Sequence, residues 1–247
     1  MSQEVVGSSI PVNGPGFPAR GILAFTKLER HIFKSLKPGG EEVAPILGGL
    51  TRVTVWKDLV LAGPVLGAPQ AAMVLEILSR RGVREFLSLG WCGSLTPELK
   101  WGDIIMPLLA LSEEGTSAHY RCPEGAMGPD PALAQRLAGS LTELDFRFTS
   151  GKVWTTDAPY RETRDKVRNH TLAGCLAVDM ETSAVISVCR FRKLSWAGLM
   201  VVSDELWGEK WRPGFKSAEL KSGLTHAATA ILRTAAVLTA ATAGSDS

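Results

Sequence analysis

Two carboxylates sit just past apolar, strand-like stretches of this chain: Glu181 follows Gly174-Cys175-Leu176-Ala177-Val178, and Asp204 follows Trp196-Ala197-Gly198-Leu199-Met200-Val201-Val202. In an α/β fold, ligands bind in the crevice outside the carboxyl ends of the strands, so acids at such ends are placed to grip a polar ligand. Asp179 shares the first junction and has a second reading as a helix cap. Hydroxyls, aromatics and the stretch Gly90-Trp91-Cys92-Gly93 accompany the acids. Its two glycines either let backbone N–H groups approach a ligand or serve a tight buried turn. No Cys-His, Ser-His or metal-ligand spacing is present, so nucleophilic and metal catalysis are poorly supported and no cofactor is expected. What remains suits a reaction in which the protein holds hydroxyl groups, protonates a leaving group and lets another molecule attack. Cleavage of a glycosidic bond to a nucleobase is such a reaction.

These residues need a scaffold, and the patterning describes one. Residues 1 to 20 carry Gly7, Pro11, Gly14, Pro15, Gly16 and Pro18 and read as an irregular arm; residues 21 to 247 read as one α/β domain. A buried strand at 21 to 25 leads into a helix from Thr26 to Leu36, with Glu29 at a capping-box position. Weaker strands follow near 53 to 55 and 59 to 62, then a turn at 63 to 67 and a helix opening at Pro69 and ending in Arg80-Arg81-Gly82. With the strand at 85 to 89 this is a βαβ unit, which argues for parallel strands. Further strands are expected from Gly102, over 146 to 156 and over 196 to 202. Helices are expected over 131 to 144, 161 to 170, after Met180 and over 217 to 241. The segment 206 to 215, with Trp207, Trp211 and Arg212, has no period and reads as a closing lid or a plug in a groove.

The bulk numbers narrow the class. A net charge of +2 from 27 basic and 25 acidic residues predicts no nucleic-acid polymer as partner. The apolar runs fall short of the roughly 18 residues of a membrane span, and the first residues lack the order of a signal peptide. A cytoplasmic enzyme with reduced thiols and no membrane partner is expected.

Four motifs, in order, resemble the nucleoside phosphorylase family, which includes purine nucleoside and uridine phosphorylases and the methylthioadenosine nucleosidases. They are Gly90-Trp91-Cys92-Gly93 with Gly102-Asp103-Ile104-Ile105-Met106-Pro107, Asp157-Ala158-Pro159-Tyr160, Val178-Asp179-Met180-Glu181, and Ser203-Asp204. The resemblance implies a single α/β domain around a mixed, partly barrel-like sheet flanked by helices, assembled as a homo-oligomer (a dimer or a trimer of dimers). It implies a small-molecule nucleoside as substrate. Glu181 would accept hydrogen bonds from the ribose hydroxyls, Met180 would pack on the sugar, and Asp204, beside Ser203, would act catalytically at the purine N7. Pro159 and Tyr160 would lie near the base, and Cys92 and Gly93 would border it.

The chain departs from the family's pattern where the attacking species would bind. Of the family's phosphate-binding turn, Thr26-Lys27-Leu28-Glu29-Arg30 keeps only Arg30; Ser88 stands where the second arginine is expected, ahead of Gly90, and Trp91 replaces a hydroxyl residue. Arg52, Arg212 and Lys216 are replacement cations. Glu29 aligns with the water-activating glutamate of the nucleosidases, or is a capping residue; Arg30 has a second reading as a solvated helix residue. The reading adopted is phosphorolysis of a purine nucleoside with inorganic phosphate as co-substrate. Hydrolysis through Glu29, and a binding protein that has lost catalysis, are the alternatives.

Overall fold

A computed structural model describes Val6 and residues 16–26, 40–120 and 128–243. Glu29 and Arg30, the helix expected after Thr26 and most of the irregular arm lie outside these residues. The described residues form one sheet of ten strands: β1 (Arg20–Phe25), β2 (Glu41–Ile46), β3 (Thr51–Trp56), β4 (Leu59–Val65), β5 (Glu85–Ser94), β6 (Ile104–Ser112), β7 (Phe148–Thr155), β8 (Cys175–Asp179), β9 (Ser195–Glu205) and β10 (Arg212–Pro213). The helices are α1 (Gly67–Arg80), α2 (Pro131–Glu143), α3 (Arg164–Leu172), α4 (Thr182–Arg192) and α5 (Ala218–Ala243). Strand order is β10-β9-β6-β7-β8-β5-β1-β4-β3-β2, and an added β9–β5 pairing closes β5, β9, β6, β7 and β8 into a small barrel. The sheet is mixed: β1 runs parallel to β4 and β5, whereas β3 is antiparallel to β4 and β8 to β5.

Two layers cover it. Along β9, Trp196, Met200 and Val202 join a core with Leu75 and Leu78 of α1 and Val185 and Ile186 of α4. The alternate residues Ala197, Leu199 and Val201 join a second core with Leu137 of α2 and Leu224 and Ile231 of α5. A strand buried on both faces must be apolar throughout, which is why residues 196 to 202 read as a continuous run. Helix starts are equally local in origin. Asp130 accepts the Leu133 N–H at 2.9 Å ahead of Pro131 in α2. Thr163 accepts the Lys166 N–H at 3.4 Å, so α3 begins at 164 and residues 159–161 form a separate short 3-10 turn.

Three expected boundaries move. The turn placed at 63 to 67 is shorter, because β4 continues through Val65. Strand β9 runs on through Asp204 to Glu205 instead of stopping before them. Gly90-Trp91-Cys92-Gly93 is not a turn: it is the second half of β5, where the strand leaves β1 and pairs with β8 at Gly93 and Ser94. A Cβ on Gly90 would lie 2.8 Å from Phe25 Cδ2, and one on Gly93 2.2 Å from Leu206 Cδ1. Close packing, not turn geometry, demands both glycines.

Candidate active site

The carboxyl ends of β5, β8 and β9 open into a cavity of about 470 Å³. At its floor is the junction between β8 and α4. The Asp179 carboxylate accepts the Thr182 N–H (2.8 Å), the Thr182 hydroxyl (2.5 Å) and the Glu181 N–H (3.3 Å) on one oxygen, and the Thr155 hydroxyl (2.6 Å) on the other. It thus ties the end of β8 to the first turn of α4, whose N-cap position is Glu181. Burial raises the Asp179 pKa, against the pull of those four hydrogen bonds. With Asp179 holding the turn, Glu181 projects into the cavity while only 5% exposed, and its Oε1 accepts the Gly67 N–H at 2.6 Å. Gly67 opens α1 at φ +78°, so a helix N-terminus faces this carboxylate. Burial, and then the neighbouring Asp179, push Glu181 up to about 8.

The other acid is built differently. Ser203 and Asp204 lie near the end of β9; the Ser203 hydroxyl donates to Asp204 Oδ1 at 2.6 Å and the Trp211 indole N–H donates to Oδ2 at 2.7 Å. Met180, Pro159, Tyr160, Trp91, Cys92 and Gly93 line the same cavity, so nine residues expected from sequence converge there with Glu181, Ser203 and Asp204 among them. Burial, followed by Asp204 and Asp179, pushes the Cys92 thiol well up, leaving it a neutral wall.

Other expected residues are elsewhere. Ser88 is 2% exposed and its hydroxyl accepts the Trp196 indole N–H at 3.0 Å; neither it nor Gly90 lines the cavity. Arg212 pairs with Glu205 at 2.8 Å, and Arg212, Arg52 and Lys216 are all absent from the cavity lining. Among the described residues, the lining contains no Lys or Arg, and no group of His, Cys, Asp and Glu is arranged to hold a metal. None of the described helices is long and apolar enough to cross a membrane.

The cavity also includes residues that sequence reasoning missed. Phe25, Leu66, Leu206 and Phe215 form apolar walls, with Phe215 stacked obliquely on Trp91 at 5.5 Å between ring centroids. Glu162, assigned from sequence to a solvated helix, lines the cavity instead; burial and then Asp204 push it up to about 7 despite Lys166. Its short spacing from Tyr160 was the available signal. Thr26 lines the cavity at φ +52° with its hydroxyl buried and, among the described residues, without a hydrogen-bond partner.

A mixed sheet closed into a barrel, with carboxylates at the strand ends beside a cavity, defines the class as an α/β nucleoside-phosphorylase fold. Purine nucleoside phosphorylase from Toxoplasma gondii, solved with immucillin-H, superposes with a TM-score of 0.78 at 23% identity, covering 90% of this chain and 92% of that one. Uridine phosphorylase from Vibrio fischeri gives 0.75 at 21%, covering 88% and 92%. Residues 19–242 match the model of the phosphorylase superfamily, and the chain belongs to that family, the nucleoside phosphorylases. Among curated relatives, guanosine phosphorylase of Halorubrum lacusprofundi is 33% identical over 149 residues, 60% of this chain and 62% of that protein. A DeoD-type purine nucleoside phosphorylase of Bacillus cereus is 26% identical over 161 residues, 64% and 68% respectively. The match thus spans about three fifths of the length of the first of these relatives.

Proposed function

We propose that this protein cleaves the N-glycosidic bond of a purine nucleoside by phosphorolysis, releasing the free base and ribose 1-phosphate. The observation that carries the reading is the pair Glu181 and Asp204 in one cavity, one buried and one beside a ring of aromatic residues. Glu181 accepts hydrogen bonds from the ribose hydroxyls and, once ionised, counters the positive charge that spreads onto the sugar as the bond breaks. Met180 packs on the sugar. Asp204 protonates or hydrogen-bonds the purine N7, so that the base leaves without building up negative charge. Cys92, Gly93, Pro159 and Tyr160 border the base. The names of the relatives, guanosine and purine nucleoside phosphorylases, support a purine. Inorganic phosphate is the co-substrate, with no other cofactor, and the working form is a cytoplasmic homo-oligomer in nucleoside salvage.

A second reading, hydrolysis, is favoured by one observation: the described lining holds Glu162, Asp179, Glu181 and Asp204 and no cation, a poor setting for a phosphate dianion. Incubation with guanosine, inosine and adenosine, with and without phosphate, separates the two. Ribose 1-phosphate formed only with phosphate supports phosphorolysis. Free ribose at equal rates without phosphate overturns it, and absence of base release from any nucleoside leaves a binding protein.

A further inference from the structure

We infer that Trp211 is a positioning residue: its indole N–H holds the Asp204 carboxyl in the orientation that meets the base. The inference rests on the proposed role of Asp204 and adds a residue that the motifs do not contain.

The segment after β9 is aperiodic, yet it is anchored at several points. Strand β10 folds back antiparallel on β9, with Arg212 opposite Glu205 and Pro213 opposite Asp204. The Gly214 N–H donates to the Ser203 carbonyl at 2.8 Å, and Arg212 pairs with Glu205 at 2.8 Å. From the other side, the Trp101 indole donates to the Arg212 carbonyl at 3.2 Å, and Trp101 packs so closely on Gly214 that a Cβ there would lie 2.6 Å from its ring. These ties return the chain to the acid and bring the Trp211 N–H to 2.7 Å from Asp204 Oδ2. Indole nitrogen donates only, and each carboxylate oxygen has capacity for a second hydrogen bond. Ser203 on one oxygen and Trp211 on the other therefore fix the carboxyl group's rotation and still leave it able to meet a ligand. Trp211 itself is 59% exposed. Core packing does not account for its position; the hydrogen bond, and its ring 6.0 Å from that of Phe215, do.

Because Trp211 acts through Asp204, the two substitutions should not add. Trp211→Phe keeps an aromatic ring and removes the donor. In the otherwise wild-type protein it should lower kcat on guanosine or inosine about tenfold or more, the scale of one hydrogen bond to a charged group, with KM changed far less. In an Asp204→Ala background, which removes the acceptor of the indole N–H, the same change should leave the residual kcat within about twofold, the ordinary scatter of additivity. Equal losses in both backgrounds, or an unchanged kcat in the first, would overturn the inference.

Equilibrium titration with free guanine and hypoxanthine, read by tryptophan fluorescence, separates this inference from the proposed reaction. If the wild type binds base but turns over no nucleoside, the reaction is wrong. Trp211 then still stands if Trp211→Phe weakens base binding only when Asp204 is present, and falls if it weakens binding equally without it. A wild type that neither binds base nor cleaves nucleoside overturns both.

Discussion

The two ends of the cavity hold their acids by opposite means. At the β8–α4 junction Glu181 is almost wholly buried and takes its hydrogen bond from a main-chain N–H, while Asp179 fixes the turn with four further bonds. At the end of β9 Asp204 is held by two side chains, one of them the exposed Trp211. Main-chain donors at an element end are set by the fold and survive substitution of the residues that carry them. Side-chain donors are lost with a single change. A single substitution can therefore release Asp204 from a donor, whereas the donor to Glu181 is part of the backbone.

The largest effect expected from this contrast is at the side-chain-held acid. Asp204→Asn should reduce turnover of purine nucleosides by about 10²–10⁴-fold, the usual contribution of a positioned acid, and steady-state kinetics with guanosine would measure it. Unchanged turnover would remove Asp204 from the reaction.

Next in size is Glu181→Gln, which should raise KM for the nucleoside by roughly tenfold or more when measured above pH 8, where Glu181 is ionised and its hydrogen bonds are charge-assisted. The same change should stabilise the free protein at alkaline pH. Glu181 has its folded pKa raised to about 8, so the folded chain keeps a proton that the unfolded chain has already released. Wild-type stability contributed by this group is complete below the ordinary carboxylate range and is lost as pH rises through about 8; the glutamine loses nothing. Melting curves at pH 6 and pH 9 should show the variant's relative gain at the higher value. Loss of structure by circular dichroism at both would make Glu181 a structural residue.

A smaller effect belongs to Glu162. Raised to about 7 by burial and Asp204, it ionises across neutrality and places a negative charge near Asp204 as pH rises. Glu162→Gln should flatten the dependence of KM on pH between about 6 and 8, a few-fold effect by the scale of a partly screened charge pair. Retention of the wild-type slope would dissociate Glu162 from the base end.

The smallest effect should come from Thr26, a β-branched residue at φ +52°. Replacing it with glycine relieves a backbone strain of about 1–3 kcal/mol, partly offset by the greater freedom of glycine in the unfolded chain. A modest rise in Tm is expected; a fall would mean that the hydroxyl, unpartnered among the described residues, makes a bond whose loss outweighs the strain.

Much of this organisation is legible before folding. The β9 run, the periodic helices and the acids near the ends of β8 and β9 are visible in local patterning, because a strand buried on two faces must be apolar and the first acids after such a run mark where its burial ends. Gly90 and Gly93 read as a turn because a glycine looks the same whether a turn requires it or a neighbour crowds it; here Phe25 and Leu206, far away in sequence, do the crowding. Ser88 resembled a phosphate contact by its place in a motif, but its hydroxyl is committed to Trp196, more than a hundred residues along the chain.

What the sequence determined by itself was the inventory and its spacing: a family pattern, apolar strands, and carboxylates at their ends, all governed by interactions within a few residues. The tertiary structure alone decided which oxygen meets which donor. It set the Gly67 amide against Glu181, returned Trp211 to Asp204 and brought Glu162 into the cavity. The fold-back of β10 on β9 creates the Trp211 contact, and the β4-β1-β5-β8 strand order brings Gly67 to Glu181; no local pattern encodes the distance between residues that only the assembled sheet makes neighbours.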